Sequence, residues 1–192
     1  MALYNLIIAV CWGVFILYWI ISAFGVKRDI NRGPWWHFWL LRFFIAFAIL
    51  TWAWSRSSLG HVMQYLPLFN STQNNIPLAI LGTAFTVLGI GLAIWARVHL
   101  GRNWSPAPAM KEAHELVTSG PYRLVRHPIY TGIMLAALGS ALVTPTWLFM
   151  FVIISGVFIW RVKTEEGFMM QLFPTQYPDY KKRTWALIPY IW

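Results

Sequence analysis

Residues Met1 to Val26 carry no charged side chain. About 20 consecutive apolar residues suffice to cross a bilayer core of about 30 Å, so this run is long enough for a transmembrane helix. It is not a cleaved leader. A basic leading region is missing, and the apolar run exceeds the roughly 7 to 15 residues of a signal-peptide core. The same kind of signal recurs along the chain, which is 58% hydrophobic and only 11% charged. A soluble domain averages about 25% charged residues, so the sequence belongs to a multi-span membrane protein. Its formal charge of +9 is neither clustered on a soluble module nor joined to a nucleic-acid motif, which leaves no role for nucleic acid. The single Cys11 lies inside the first apolar run and reads as a small buried hydrophobe rather than part of a disulfide framework.

A second span is expected from about Trp36 to Trp54, with Arg42 near its start reaching toward the headgroups. A polar loop from Ser55 to Ile76 breaks the signal. The third span is expected from Pro77 to Ala96, where Gly82, Gly89 and Gly91 offer close helix approach. Arg97 to His127 reads as a polar loop with a short helix outside the membrane. Two apolar arms then follow, Ile129 to Val143 and Thr146 to Trp160, separated by Thr144 and Pro145. At 1.5 Å per residue each arm is only about 22 Å long, which predicts a tight helical hairpin. Gly132, Ala136 and Ser140 recur every four residues, and this smooth face is expected to pack against the arm that carries Ser155 and Gly156. The fold class is therefore all-α, a multi-pass protein of about five transmembrane helices. Residues 1–98 form the N-terminal spans, and 99–192 form a core of loop, hairpin and tail.

The basic residues set the expected orientation. Lys27, Arg28, Arg32 and Arg42 follow the first span, Arg97, Arg102, Lys111, Arg123 and Arg126 the third, and Arg161, Lys163, Lys181, Lys182 and Arg183 the hairpin, leaving Arg56 on the other side. The positive-inside rule places the N-terminus outside and both the Arg97 to His127 loop and the tail in the cytoplasm, where they can meet. The membrane is a bacterial inner membrane, or the endoplasmic reticulum in a eukaryote.

The segment GPYRLVRHPIYTG, Gly120 to Gly132, joins this loop to the hairpin. Pro128 drives His127 out of the helical region and suits the first position of a helix. The free amides at that start attract anionic groups, and Arg123 and Arg126 strengthen the field. Beyond the hairpin, Arg161 and Glu165 are four residues apart and share a face if the helix continues, whereas Glu166 points elsewhere. Taken alone the pair is an ordinary surface ion pair. Tyr177, Tyr180 and Arg183 recur at intervals of three, an arrangement that also suits interfacial anchoring. The histidines are scattered and no metal-binding pattern is present, so no metal is expected.

The order HELVTSGPYRLVRHPIYTG, apolar hairpin, RVKTEE, YPDYKKR and a late Pro189 resembles the isoprenylcysteine carboxyl methyltransferase family of integral-membrane enzymes, which also includes phospholipid methyltransferases. The resemblance covers about Leu100 to Pro189. It implies S-adenosyl-L-methionine as cofactor, with His114, Glu115, Leu116 and Val117 lining the adenosine, Tyr122 close by, and His127, Pro128, Ile129 and Tyr130 continuing the pocket. It further implies that Glu165 is the carboxylate contacting the cofactor and Arg161 the catalytic arginine that positions the substrate, with Arg126 next in line as a substrate contact. The chain departs from the pattern at Pro174, where glycine is usual, and at Ala186, where a second basic residue often occurs.

The chemistry fits that assignment. The cofactor's carboxylate suits a helix start, its cationic groups suit a carboxylate or aromatic faces, and its adenine needs an apolar slot. An acceptor carboxylate, with a pKa of about 3.5, is already ionised and needs positioning but no base. A lipid amine would need a base, for which Glu166 and His127 are the nearest candidates. The acceptor is lipid-like or prenylated and enters from the bilayer. Three alternatives stand beside carboxyl methylation: phospholipid N-methylation, a nicotinamide-dependent membrane sterol or ketone reductase, and a non-catalytic lipid-binding protein. No dinucleotide-binding fingerprint or sequence suited to a soluble doubly wound sheet is present.

Overall fold

The computed structural model describes residues 1–23, 75–104 and 115–192. Five α-helices lie among them: α1 (Ala2–Ala23), α2 (Ile76–Leu100), α3 (Pro128–Val143), α4 (Trp147–Leu172) and α5 (Gln176–Arg183). Short 3₁₀ turns cover Gly101–Asn103 and Gly120–Arg123. No strand occurs among the described residues, only an isolated parallel bridge between Val125 and Trp185. α1, α2 and α4 are each long and apolar enough to cross a membrane, and α3 is a shorter apolar helix. The protein is an all-helical, multi-pass integral membrane protein. The span expected at Trp36 to Trp54 and its following loop lie outside the described residues.

α2 starts where Asn75 caps it, its side chain accepting from the Leu78 amide at 3.1 Å with a proline in the first turn. The helix runs four residues past the expected end at Ala96. Arg97, read from sequence as a loop cation, is buried inside it and donates to the carbonyls of Ser22 and Gly101, both at 2.8 Å. Those bonds satisfy backbone carbonyls at the ends of α1 and α2, and the Arg97 guanidinium also covers the Trp104 ring at 4.5 Å. α4 likewise extends past the expected Trp160 to Leu172, because RVKTEEGFMMQL contains no proline before the Phe173–Pro174 junction and tolerates Gly167 within the helix.

The core is built on backbone contact between α2 and α3. A Cβ added at Gly89 would lie 2.5 Å from the Gly132 oxygen and the Ala136 nitrogen, and one at Gly82 would lie 2.5 Å from the Gly139 oxygen. The smooth face of Gly132, Ala136 and Ser140 therefore packs on α2 and not, as expected, on the Ser155 and Gly156 arm. Among the described residues, no atom outside its own helix approaches the Gly156 position within 4 Å, and the same is true of Gly91. The physical reason lies in the partner: Gly82 and Gly89 let two backbones meet, which gains dispersion contacts that an exposed glycine on α4 cannot supply. Buried polar groups pin the seam. Thr86 donates to the Gly82 carbonyl at 3.0 Å, Ser140 to the Ala136 carbonyl at 2.8 Å, and Trp12 of α1 to the Ser140 hydroxyl at 3.1 Å. Phe15 is fully buried beside Trp12 and Trp19, so α1 closes the bundle with aromatic packing.

Candidate functional site

The chain approaches α3 as the proline requires. His127 sits at φ −125°, ψ 57°, outside the helical region, and α3 begins at Pro128. The tail returns along this entry. The amides of Arg126 and His127 donate to the Trp185 and Ala186 carbonyls at 2.8 and 3.0 Å, and the Thr131 hydroxyl donates to the Leu187 carbonyl at 2.7 Å. α4 brings Arg161, Glu165 and Glu166 alongside, and α5 closes the end with Tyr177 and Tyr180, both buried. The Tyr180 hydroxyl donates to the Tyr122 carbonyl at 2.6 Å, tying the tail to the Gly120–Arg123 turn.

These elements line an open cleft of about 170 Å³ among the described residues. Its lining includes Glu115, Leu116, Val117, Tyr122, Arg126, His127, Ile129, Tyr130 and Glu165 from the sequence reading. Leu100, Asn103, Trp104, Phe168, Met169, Tyr177 and Tyr180 complete it. Pro128, the first residue of α3, is fully buried and is not among the residues that line the cleft. His114 lies outside the described residues. Of the residues that sequence reasoning missed, Phe168 and Met169 follow Glu165 by about one helical turn, a spacing that could have found them. Nothing in the sequence singled out Trp104, Leu100 or Asn103.

Two charge clusters meet at His127. In the first, Arg161 Nε lies 2.6 Å from both the Glu165 Oε1 and the Tyr130 hydroxyl, while that hydroxyl donates to Glu165 Oε1 at 2.5 Å. The expected pairing one turn apart is present because α4 continues. Tyr130 is held in place by stacking on His127 on one face, with centroids 5.5 Å apart, and on Phe158 on the other at 4.4 Å. In the second cluster Glu166, expected to point elsewhere, is buried and faces the same entry. It accepts from Arg126 Nε at 2.7 Å and pairs with Lys181 Nζ at 2.6 Å. Arg126 also donates to the carbonyls of Lys181 and Thr184. Its guanidinium thus ties the entry of α3 to the tail while Arg126 also lines the cleft, and Arg123 is exposed.

His127 bridges the clusters, with Nδ1 3.6 Å from Glu165 and Nε2 3.7 Å from Glu166. Burial opposes its charged form, but the two carboxylates outweigh burial and raise its pKa above the usual histidine range. Burial likewise pushes the phenols of Tyr122, Tyr177 and Tyr180 well above their ordinary range, so they stay neutral. No cluster of three or more metal-binding side chains occurs among the described residues. Ala186, at the departure from the family pattern, is 1% exposed and packs with Val162 and Leu187 against Tyr130 and Met134.

Residues 78–176 match the family model described as phospholipid methyltransferase. The chain belongs to this family. Among its relatives, the protein-S-isoprenylcysteine O-methyltransferase of Schizosaccharomyces pombe is 33% identical over 56% of this chain and 48% of its own length. Protein-S-isoprenylcysteine O-methyltransferase B of Arabidopsis thaliana is 30% identical over 57% of this chain and 58% of its own length. The chain thus spans about half the length of the curated relatives it matches. A solved structure of the eukaryotic intramembrane Ras methyltransferase, isoprenylcysteine carboxyl methyltransferase, aligns with a TM-score of 0.61 at 26% identity, covering 84% of this chain and 55% of that one. Membership in the phospholipid methyltransferase family implies a methyl donor.

Proposed function

We propose that the protein is an S-adenosyl-L-methionine-dependent methyltransferase that esterifies the carboxylate of a lipid-like acceptor, of the isoprenylcysteine kind, at the cytoplasmic membrane surface. The cleft suits that cofactor. Leu100, Trp104, Val117, Phe168 and Met169 offer an apolar slot for a planar base, and Tyr122, Tyr177 and Tyr180 present aromatic walls to cationic groups. Glu165 adds a carboxylate whose Oε2 faces only the more distant His127 among the described residues. When bound, S-adenosyl-L-methionine supplies an electrophilic methyl group. Glu115, Leu116, Val117, Tyr122, His127, Ile129, Tyr130 and Glu165 would hold it, and Arg161, braced by Tyr130, would orient the acceptor. Methyl transfer is an in-line displacement, so the chain contributes orientation and exclusion of water.

The observation that carries the choice of acceptor is that neither candidate base is free. Glu166 is paired with both Arg126 and Lys181, and His127 has its pKa raised between two carboxylates, which favours the protonated ring. An amine acceptor needs a proton removed, whereas a carboxylate does not. The family match favours methyl transfer over nicotinamide chemistry. The orientation follows the distribution of basic residues, with the N-terminus outside.

The test offers the purified protein labelled S-adenosyl-L-methionine together with a prenylated cysteine and phosphatidylethanolamine. A methyl ester releases labelled methanol in base; an N-methyl group does not. Base-labile label on the prenylated cysteine is the expected result. Base-stable label on the phospholipid would overturn the carboxylate reading, and label on neither would remove both acceptors.

A further inference from the structure

The tail carries a surface that the proposed chemistry does not use. α5 is two-faced. Tyr177 and Tyr180 are buried in the cleft wall, whereas Asp179, Lys182 and Arg183 are exposed on the opposite side. The last turn holds three basic residues, of which Lys181 pairs with Glu166 and Lys182 and Arg183 remain for the outer face. Asp179 is the one acidic residue of α5, and it pairs with Lys182 at 3.2 Å. After α5 the chain is pinned by Ala186 and Leu187, each 1% exposed, and then presents a different surface. Ile188, Tyr190, Ile191 and Trp192 all face outward, Tyr190 at 84% and Ile191 at 78% exposure.

This apolar hook is a built turn. The amides of Leu187 and Ile188 donate to the Trp192 carbonyl at 2.9 and 3.1 Å, and the Ile191 amide donates to the Ile188 carbonyl at 3.2 Å. Tyr190 adopts φ 66°, the left-handed region that a bulky residue enters only when its surroundings hold it there, and its ring lies 4.6 Å from that of Trp185. A hydrogen-bonded turn that displays four large apolar side chains next to a basic helix has the two chemical faces of an interfacial membrane anchor.

We propose that the outer face of α5 and the hook at residues 188–192 together form a docking surface for an anionic bilayer, the basic residues meeting lipid phosphates and the hook entering the interface. Three observations select a membrane surface as the occupant: the charge complementarity of the last turn of α5, the exposed apolar hook after it, and direct continuity with α4, which is long and apolar enough to span the bilayer. The inference goes beyond the methyl-transfer reading and stands without it. Because Tyr177 and Tyr180 ride on the same helix, docking also steadies the wall of the cleft.

The test places a nitroxide at Tyr190→Cys in a Cys11→Ala background of the full chain. The protein is reconstituted in nanodiscs of phosphatidylcholine alone or of phosphatidylcholine mixed with phosphatidylglycerol. Power saturation then compares access of oxygen, which concentrates in lipid, with that of a water-soluble nickel chelate. The label should gain oxygen access and lose nickel access in the anionic discs. High salt should reverse the effect without any further substitution. Lys182→Gln and Arg183→Gln should each lower the docked-to-free ratio about fivefold. Equal accessibility in the two lipids overturns the proposal. So does a label shielded from both reagents, which would mark a protein partner or a second copy.

Discussion

Replacing Tyr130 by phenylalanine isolates the group on which the proposed orientation of the acceptor depends. The hydroxyl donates to Glu165 Oε1 at 2.5 Å and lies 2.6 Å from Arg161 Nε, so two charge-assisted contacts disappear with one oxygen. The ring remains. Its stacking on His127 and Phe158 does not involve the hydroxyl, and the direct Arg161 to Glu165 contact at 2.6 Å also survives. A hydrogen bond to a charged group contributes about 1.5 to 3 kcal/mol. With one direct contact left to hold Arg161, the loss of orientation should fall within that single-bond range and not at twice its value. At about 1.4 kcal/mol per factor of ten, kcat/KM for the acceptor should drop by roughly 10- to 150-fold. Initial rates with labelled S-adenosyl-L-methionine measure the drop, and helical content by circular dichroism checks that the fold persists. Wild-type kcat/KM in a folded Tyr130→Phe protein would refute the claim that Tyr130 braces Arg161.

The other expectations address the arginine, the histidine and the helix seam. Arg161→Lys keeps the charge but loses the planar fork, so turnover should fall at least tenfold while S-adenosylhomocysteine affinity, measured by calorimetry, stays near wild type; full activity at saturating acceptor contradicts bidentate positioning. The raised pKa of His127 means that its contribution to stability is complete below the unfolded value of about 6.5 and is lost as pH rises through the higher folded value. The melting temperature should therefore decline across that window in the wild type and not in His127→Gln, and parallel profiles would sink the assignment. Gly89→Ala drives a methyl group to 2.5 Å from two backbone atoms of α3 and should destabilise the bundle by about 1 to 3 kcal/mol, whereas Gly91→Ala, with no described neighbour within 4 Å, should not. Comparing the two variants by thermal unfolding in detergent decides the matter.

Much of the site was legible because it depends on local chemistry. Pro128 sets the start of α3, and four-residue spacing pairs Arg161 with Glu165 wherever α4 continues. Packing partners were less legible. Gly132, Ala136 and Ser140 announce a smooth face by their period, but period does not say which helix will meet it. Gly82, Gly89 and Gly91 look alike in sequence, yet only the first two contact α3. Tyr177 and Tyr180 read as interfacial anchors because nothing local shows that Arg126, Glu166 and Lys181 fold the tail back over the cleft. Glu166 was misplaced for the same reason: its partners lie 40 and 15 positions away.

The shortness of α3 has a consequence for where any reaction takes place. Its 16 residues extend about 24 Å, which is less than the roughly 30 Å of bilayer hydrocarbon. At its Val143 end, Thr144 meets Asn5 of α1 at 2.8 Å, so that end is level with the first turns of α1 and α4. With its Val143 end at one interface, a helix of this length stops roughly 6 Å short of the other, and further short if it tilts. The cleft at the Pro128 end is consequently recessed from the interface. Lifting a lipid chain out of the bilayer costs about 0.8 kcal/mol for each methylene exposed. A recessed reaction centre spares a tethered carboxylate that extraction, since the polar end of the molecule can be modified while its hydrocarbon stays where it was dissolved.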